Sequence, residues 1–177
     1  MTEAVTLRKN QQRCRRVHAR RINGQGVETR GHGRTHPRGT LLLYDNGNFR
    51  AMPPKKRMDV SESYSRAVEY AIDAKAMTAA QVWRYGGKGQ EHFYSPFISE
   101  ADSLPNTGNI LITDGGRLRD KQGRQSELII GDRHWARVIE VTHADPPQKV
   151  FELTVDTGAD GSMGWAIYRS DRLSGLY

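Results

Sequence analysis

Short runs of apolar residues separated by turn residues fill the chain from residue 39 onward. In residues 136–142 and 149–155, apolar and polar positions alternate and β-branched residues are frequent. This pattern is typical of half-buried strands. The link between them contains Asp145-Pro146-Pro147, which favours a turn, so the two segments are predicted to form an antiparallel pair.

Further segments have the same texture. The predicted strands are residues 40–44, 64–72, 77–85, 109–114 and 164–169. Residues 93–104 are predicted to lead into a strand, because Pro96 cannot occupy a central ladder position. Residues 73–77 are too short to nucleate a helix and are predicted to be a hairpin loop. With almost no helical periodicity, the chain is predicted to be all-β.

Two groups of strands follow each other in the same order. Residues 41–47 end in Asp-Asn-Gly and precede two alternating strands in 66–85. Residues 110–116 end in Asp-Gly-Gly and precede two alternating strands in 137–155. A group that repeats at ~40–70 residues is typical of propeller blades, and a closed ring needs at least about four. We therefore expect a partial β-propeller of two to three blades. It would be part of a larger ring, or would self-associate through open sheet edges.

The charge is unevenly distributed. The formal net charge is +7, and residues 1–38 hold ten Lys/Arg against two Glu, whereas the remainder is close to neutral. Residues 1–30 are predicted to be a basic, disordered arm outside the repeated unit. Contact of this arm with nucleic acid is the less favoured interpretation, because no aromatic residue is interleaved for base stacking.

Composition limits the compartment and the chemistry. Cys14 is the single cysteine, which excludes an internal disulfide and favours a reducing compartment. No run approaches the ~20 apolar residues of a membrane span, and no secretory signal is recognised. A cytoplasmic location is expected, or a periplasmic one if the natural chain starts upstream. No cofactor is expected: residues 86–89 lack the spacing of a phosphate loop, and the histidines lack metal-ligand spacing.

The candidate chemistry lies in the loop that precedes the strand at residues 40–44. This loop carries His32 and His36 together with Arg34 and Arg38. An imidazole beside fixed cations, on a loop held by a strand, is suited to an anionic substrate.

Several motifs, in order, resemble those of one enzyme family. They are Arg-Gly-Thr-Leu-Leu-Leu-Tyr-Asp-Asn-Gly-Asn at 38–48, Tyr-Ser-Arg-Ala-Val-Glu-Tyr at 64–70, Gln-Val-Trp-Arg-Tyr-Gly at 81–86, and the segments 93–99, 109–115, 135–141 and 164–177. Over residues 31–177 the chain resembles the bacterial arylsulfate sulfotransferases. The resemblance implies a six-bladed propeller, of which this chain would be the C-terminal half.

The resemblance also implies an activity, namely transfer of a sulfuryl group from a phenolic sulfate ester to a phenol through a sulfated histidine. His32, seven positions before Gly39, best matches the family's nucleophile, and His36, immediately before Pro37, is the second candidate. The residues implied in substrate binding are His36, Arg34, Arg38, Tyr94 and Ser95. The three tryptophans, Trp83, Trp135 and Trp165, are expected to be blade core or to pack between blades. The alternative is a truncated, inactive half-propeller or an interaction module.

Overall fold

A computed structural model describes the backbone of residues 4–6, 19–22, 25–29, 33–35, 39–48, 50, 57–157 and 163–173. Side chains are described from residue 39 onward. The described residues form eleven strands. They are β1 (Ala4–Thr6), β2 (Ala19–Ile22), β3 (Gln25–Thr29), β4 (Gly33–Thr35), β5 (Leu41–Asp45), β6 (Arg66–Asp73), β7 (Thr78–Tyr85), β8 (Glu100–Ser103), β9 (Ile110–Arg119), β10 (Arg133–Val141) and β11 (Lys149–Val155).

These strands make two antiparallel sheets and one hairpin. The first sheet has the order β1-β7-β6-β5-β4, and the second has the order β11-β10-β9-β8. Strands β2 and β3 form the separate hairpin. In both sheets four successive strands lie side by side as a meander, which is the topology of a propeller blade. The predicted all-β class and partial-propeller organisation are confirmed.

The two sheets pack face to face. Strand β8, the first strand of the second sheet, contacts both β4 and β5. On β5 the side chains of Leu42 and Tyr44 are buried while the residues between them are less so, as strand alternation requires. Apolar side chains from both sheets join one core: Leu42, Tyr44, Ala67, Trp83, Tyr85, Phe93, Ala101, Ile110, Ile112, Ile139 and Val141.

Strand β9 is longer than predicted. The sequence prediction ended it at Gly115-Gly116, but the strand continues to Arg119, and its register with β10 shifts between Trp135 and Arg137. Neither glycine has a positive φ. A Cβ at Gly115 would lie 1.8 Å from the backbone oxygen of Ile167, and one at Gly116 would lie 2.2 Å from that of Phe97. These glycines therefore allow close backbone approach at a bulge and do not end the strand.

The strand predicted at residues 164–169 is wrong. Among the described residues, the backbone of this segment pairs with the sheet through an isolated bridge between Gly164 and His134 and a bond from Ile167 N to Gly115 O, 3.0 Å. Trp165 is not blade core in this chain, because 61% of this residue is exposed. The alternative, that it packs between blades, stays a prediction. The apolar and aromatic residues of 164–169 suggested a strand, but this segment crosses the second sheet and does not pair along it.

The N-terminal region is described only in part. Strands β1, β2 and β3 fall within residues 1–30, and the remainder of the predicted basic arm lies outside the described residues. Among the residues that the structure describes, no helix is long and apolar enough to span a membrane.

Candidate functional site

The predicted nucleophile loop is anchored to the first sheet through β4. Gly33 lies opposite Leu43 and Arg34 opposite Leu42 on β5. The strand therefore begins at the end of the sheet where β5 leads into Asp45. His32, His36 and Arg38 lie outside the described residues, and for Arg34 only the backbone is described. Their roles stay predictions.

Ser95 lies in a cluster of buried hydroxyl groups between the sheets. Its backbone N–H donates to Ser65 Oγ at 2.9 Å, and its Oγ lies 2.9 Å from Ser99 Oγ. The same Oγ accepts a bond of 2.7 Å from Gly116 N. Asn46 Nδ2 donates to the backbone oxygen of Ser95 at 2.7 Å. Ser95 is fully buried, so these contacts hold the segment before β8 against both sheets. Its predicted contact with substrate is untested.

Tyr94 is also buried, and its hydroxyl faces a polar group from each side. Tyr94 Oη lies 3.2 Å from Asn48 Oδ1 and 3.3 Å from Glu127 Oε2. Burial, followed by the Glu127 carboxylate, raises the pKa of Tyr94 to about 12. The phenol is therefore neutral and donates at neutral pH. Arg57 pairs with the same Glu127 carboxylate.

The sheets are joined by a buried bond that the sequence analysis missed. Tyr44 Oη on β5 donates to Asp114 Oδ1 on β9 at 2.9 Å. Both side chains are buried, Asp114 completely. Burial, then the neighbouring Asp114 carboxylate, raises the pKa of Tyr44 well above its usual value. The phenol therefore serves as a fixed hydrogen-bond donor.

Each sheet contains a clamp of one aspartate and two arginines at this end. In the first sheet Asp45 lies opposite Arg66, and Arg66 Nε donates to Asp45 Oδ2 at 2.9 Å. Arg50 Nη2 donates to the same oxygen at 2.9 Å. The Arg50 guanidinium also stacks on the Tyr64 ring, 4.3 Å from its centroid.

The second sheet repeats this clamp. Asp114 lies opposite Arg137, and Arg137 Nε donates to Asp114 Oδ2 at 2.8 Å. Arg117 Nη1 donates to the same oxygen at 3.1 Å and stacks on Trp135 at 4.0 Å. Both clamps thus follow one pattern: an arginine that lies two positions after an aromatic residue faces an aspartate of the preceding strand. This match is strong support for two copies of one structural unit.

Arg137 extends the second clamp to a further carboxylate. Its Nη1 donates to Glu91 Oε1 at 2.6 Å, and Glu91 also accepts a bond from Tyr85 Oη. Burial opposes the charge of Arg137, but Asp114 and Glu91 outweigh it and raise the pKa of the guanidinium. Burial likewise opposes the charge of Glu91, but the bonds from Tyr85 and Arg137 outweigh it and lower its pKa. Both groups are therefore charged across the neutral range.

The arrangement is a rigid support for the strand ends. Its carboxylates and guanidiniums are largely paired with one another, which suits positioning better than proton transfer. The sequence signal that could have revealed it is the repeated aromatic-x-Arg at Tyr64-Ser65-Arg66 and Trp135-Ala136-Arg137.

The described histidines are dispersed. His134 packs edge-on against Phe97 at 5.6 Å, while His143 Nε2 lies 2.5 Å from Glu69 Oε2 at the other end of the sheets. Within the described part of the chain, no group of three or more His, Cys, Asp or Glu side chains is placed to hold a metal ion.

Comparison with known proteins identifies the family. The family described as Arylsulfotransferase (ASST) matches residues 27–169. Arylsulfate sulfotransferase AssT of Escherichia coli O6:H1 is 45% identical over 67 residues, which are 35% of this chain and 10% of that protein. Arylsulfate sulfotransferase AssT of Lelliottia amnigena is 42% identical over 67 residues, with the same coverage. The aligned segment thus spans about a tenth of these relatives. Since the family match covers most of the sequence, and the fold is the predicted one, this chain belongs to the arylsulfotransferase family.

Proposed function

We propose that this chain takes part in the transfer of a sulfuryl group from an aryl sulfate to a phenol, with His32 as the nucleophile. The observation that carries the proposal is the family match, whose range includes the loop of His32. The two relatives are both named arylsulfate sulfotransferases, which supports the same substrate class here.

The proposed chemistry has two steps. The neutral imidazole of His32 attacks the sulfur of the ester, the S–O bond to the aryl group breaks, and the phenolate leaves to take up a proton. An acceptor phenol then loses its proton, attacks the sulfur of the sulfohistidine and releases the imidazole. Dividing one difficult transfer into two easier ones is the advantage of a covalent intermediate.

Cationic groups near His32 in the sequence fit the charge that develops on the sulfuryl oxygens. Arg34, His36 and Arg38 would donate to these oxygens, and fixed donors of this kind stabilise such a transfer state. Tyr94 and Ser95 precede β8, and β8 contacts β4, the strand that follows His32. This contact supports their assignment to the same pocket.

The test is an assay with para-nitrophenyl sulfate and a phenol acceptor, comparing the wild type with His32→Ala and His36→Ala. We expect nitrophenolate release that depends on the acceptor, abolished by His32→Ala and only reduced by His36→Ala. Mass spectrometry of protein stopped in alkali should show the added SO₃ on the peptide containing His32. Turnover by His32→Ala at the wild-type rate would remove this residue from the mechanism.

The second candidate function is an inactive half-propeller that acts as an interaction module. It is favoured by β11, an outer strand that is exposed along most of its length and presents Phe151 and Leu153 with about half of each residue accessible. Exposed strand edges promote association. Light scattering combined with the same assay separates the two candidates. Acceptor-dependent turnover supports the enzyme, whereas defined oligomers without turnover support the module.

A further inference from the structure

Strand β10 presents a row of buried N–H groups that have no acceptor. Arg133, Trp135 and Arg137 alternate along β10 and therefore share one face of the second sheet. Arg133 Nε, Trp135 Nε1 and Arg137 Nη2 are each buried without a hydrogen-bond partner in the described part of the protein. Buried donors are normally paired with an acceptor, so three unpaired ones on one face are a notable excess.

Trp135 is enclosed by cations. The guanidiniums of Arg117 and Arg119 lie 4.0 Å and 3.9 Å from its ring, and the residue is only 9% exposed. Arg119 lies opposite Arg133 across the β9–β10 ladder. We call Arg119, Arg133 and Trp135 the cationic face.

Comparison with the first sheet shows that the clamp does not require the additional positive charge of the cationic face. There, one guanidinium, that of Arg50, stacks on Tyr64. The residue two positions before Tyr64 is Glu62, whereas the residue two positions before Trp135 is Arg133. The repeated unit therefore folds with an acidic residue at this position, and the additional positive charge belongs to the second sheet alone.

A cavity of about 630 Å³ lies beside the cationic face. Arg119, Arg133 and Lys121 line it together with Asp120 and Asp132. Its volume falls within the range of small-molecule sites, about 300–1,000 Å³.

The two aspartates of the lining already have partners. Asp120 accepts bonds from the backbone and the guanidinium of Arg124, and Asp132 accepts from Ser126. Asp120 and Asp132 are therefore not the partners of Arg119 or Arg133.

Asp156 shows how an oxyanion sits at this face. Arg133 Nη2 donates to Asp156 Oδ1, and Arg119 Nη1 lies 3.5 Å from Asp156 Oδ2. Two guanidiniums thus share a single carboxylate, which leaves one positive charge uncompensated. Their planar groups are suited to oxyanions, to which they donate in pairs.

We propose that the cationic face and its cavity bind the oxyanion group of a small molecule, a sulfate or phosphate either free or as an ester. The ligand oxygens would accept from the guanidiniums of Arg119 and Arg133, which both line the cavity. The site requires neither His32 nor any transfer step, so it is independent of the proposed function.

The test is calorimetric titration of the whole chain with sodium sulfate, inorganic phosphate and para-nitrophenyl sulfate, at an ionic strength held constant with chloride. We expect saturable binding of at least one probe. Arg133→Gln should weaken it about tenfold or more, the loss expected for a charge-assisted bond.

Two variants separate a built site from general attraction. Arg124→Gln is the matched control, because Arg124 carries the same charge near the cavity but is largely exposed; binding should change less than about twofold. Asp156→Asn removes the competing carboxylate and should tighten binding several-fold. Thermal melts of all variants establish that each is folded.

The probes also distinguish the source of the oxyanion. Binding of the inorganic ions supports a free anion as ligand, and binding of the nitrophenyl ester alone supports an esterified one. Absence of saturable binding to all three probes would overturn the proposal. Equal losses in Arg133→Gln and Arg124→Gln, or weaker binding in Asp156→Asn, would do the same.

Discussion

The hydroxyl of Tyr44 donates a 2.9 Å hydrogen bond to the carboxylate of Asp114, and this bond links the second strand of one sheet to the second strand of the other. Asp114 also receives two guanidiniums from its own sheet. A completely buried carboxylate is stable only when its charge is compensated in this way. The bond therefore fixes the two sheets relative to each other.

Removal of the Tyr44 hydroxyl should weaken the contact between the sheets. In Tyr44→Phe the ring still fills the core, but Asp114 loses its inter-sheet donor. We expect a loss of about 1.5–3 kcal/mol in the free energy of unfolding, the range for a buried bond to a charged group. Urea denaturation measures it.

The control is Tyr70→Phe. In the wild type the Tyr70 hydroxyl accepts a 3.4 Å bond from Arg66 at a partly exposed position. It should cost less than about 1 kcal/mol. Equal losses in the two variants would contradict a special role for the inter-sheet bond.

The two clamps should differ sharply in their contribution to stability. Asp114→Asn leaves Arg137, whose side chain is 6% exposed, with one carboxylate fewer in a buried site. Loss of one partner from a buried ion pair costs about 3–5 kcal/mol. Asp45 is 30% exposed, so Asp45→Asn should cost only about 1 kcal/mol because solvent screens the pair. Thermal or urea unfolding compares the two, and a larger loss at Asp45 would refute the comparison.

Acidification should remove the contribution of the Glu91 carboxylate to the free energy of unfolding. Its pKa is lower in the folded chain than its usual value of 4.5, because the bonds from Tyr85 and Arg137 outweigh burial. The unfolded chain therefore takes up the proton first as the pH falls. The stabilisation is complete above the unfolded-state pKa and is lost as the pH falls through the folded-state pKa.

We accordingly expect Glu91→Gln to be less stable than the wild type at pH 7, and the difference to shrink on acidification below pH 4.5. Urea denaturation at several pH values measures it. The exposed Glu62 provides the control: the free energy of unfolding of Glu62→Gln should follow that of the wild type across the same pH values. A difference that stays constant with pH would show that the Glu91 carboxylate contributes nothing through its charge.

The bulge of β9 should not tolerate a side chain. A methyl group at Gly115 would overlap the backbone oxygen of Ile167 at 1.8 Å, so Gly115→Ala must displace the segment 163–173 or the strand. Overpacking of this kind costs about 1–3 kcal/mol, occasionally more.

Gly108→Ala is a useful comparison, because a Cβ there meets no atom within 4 Å and only the φ of 71° opposes it. It should cost about 1 kcal/mol. Melting temperatures rank the two variants, and equal values would show that the close approach at Gly115 is unimportant.

Local patterns were reliable where apolar and polar residues alternate along the sequence. The predicted 149–155 coincides with β11, and the predicted 77–85 differs from β7 by one residue. They failed at Gly115-Gly116, where glycine indicates both a turn and a close approach, and only the neighbouring chain distinguishes the two. They also failed at 164–169, a segment that meets the second sheet through an isolated bridge without joining its ladder.

For the candidate site, the sequence placed Tyr94 and Ser95 correctly in the segment before β8, but gave no indication that Ser95 is fully buried. Asp114 and Arg137 were not recognised as partners. They are 23 residues apart in the chain, and a cross-strand pair is defined by register, which sequence spacing does not encode.

The sequence by itself determined the all-β class, the repeated strand order and the family, because strand alternation, turn residues and ordered motifs are local properties of the chain. The tertiary structure alone decided that Tyr44 meets Asp114, that two arginine clamps are equivalent, and that Arg119 and Arg133 share Asp156. Each of these contacts joins residues from different strands or sheets. They exist only once the strands have paired in register and the two sheets have packed together.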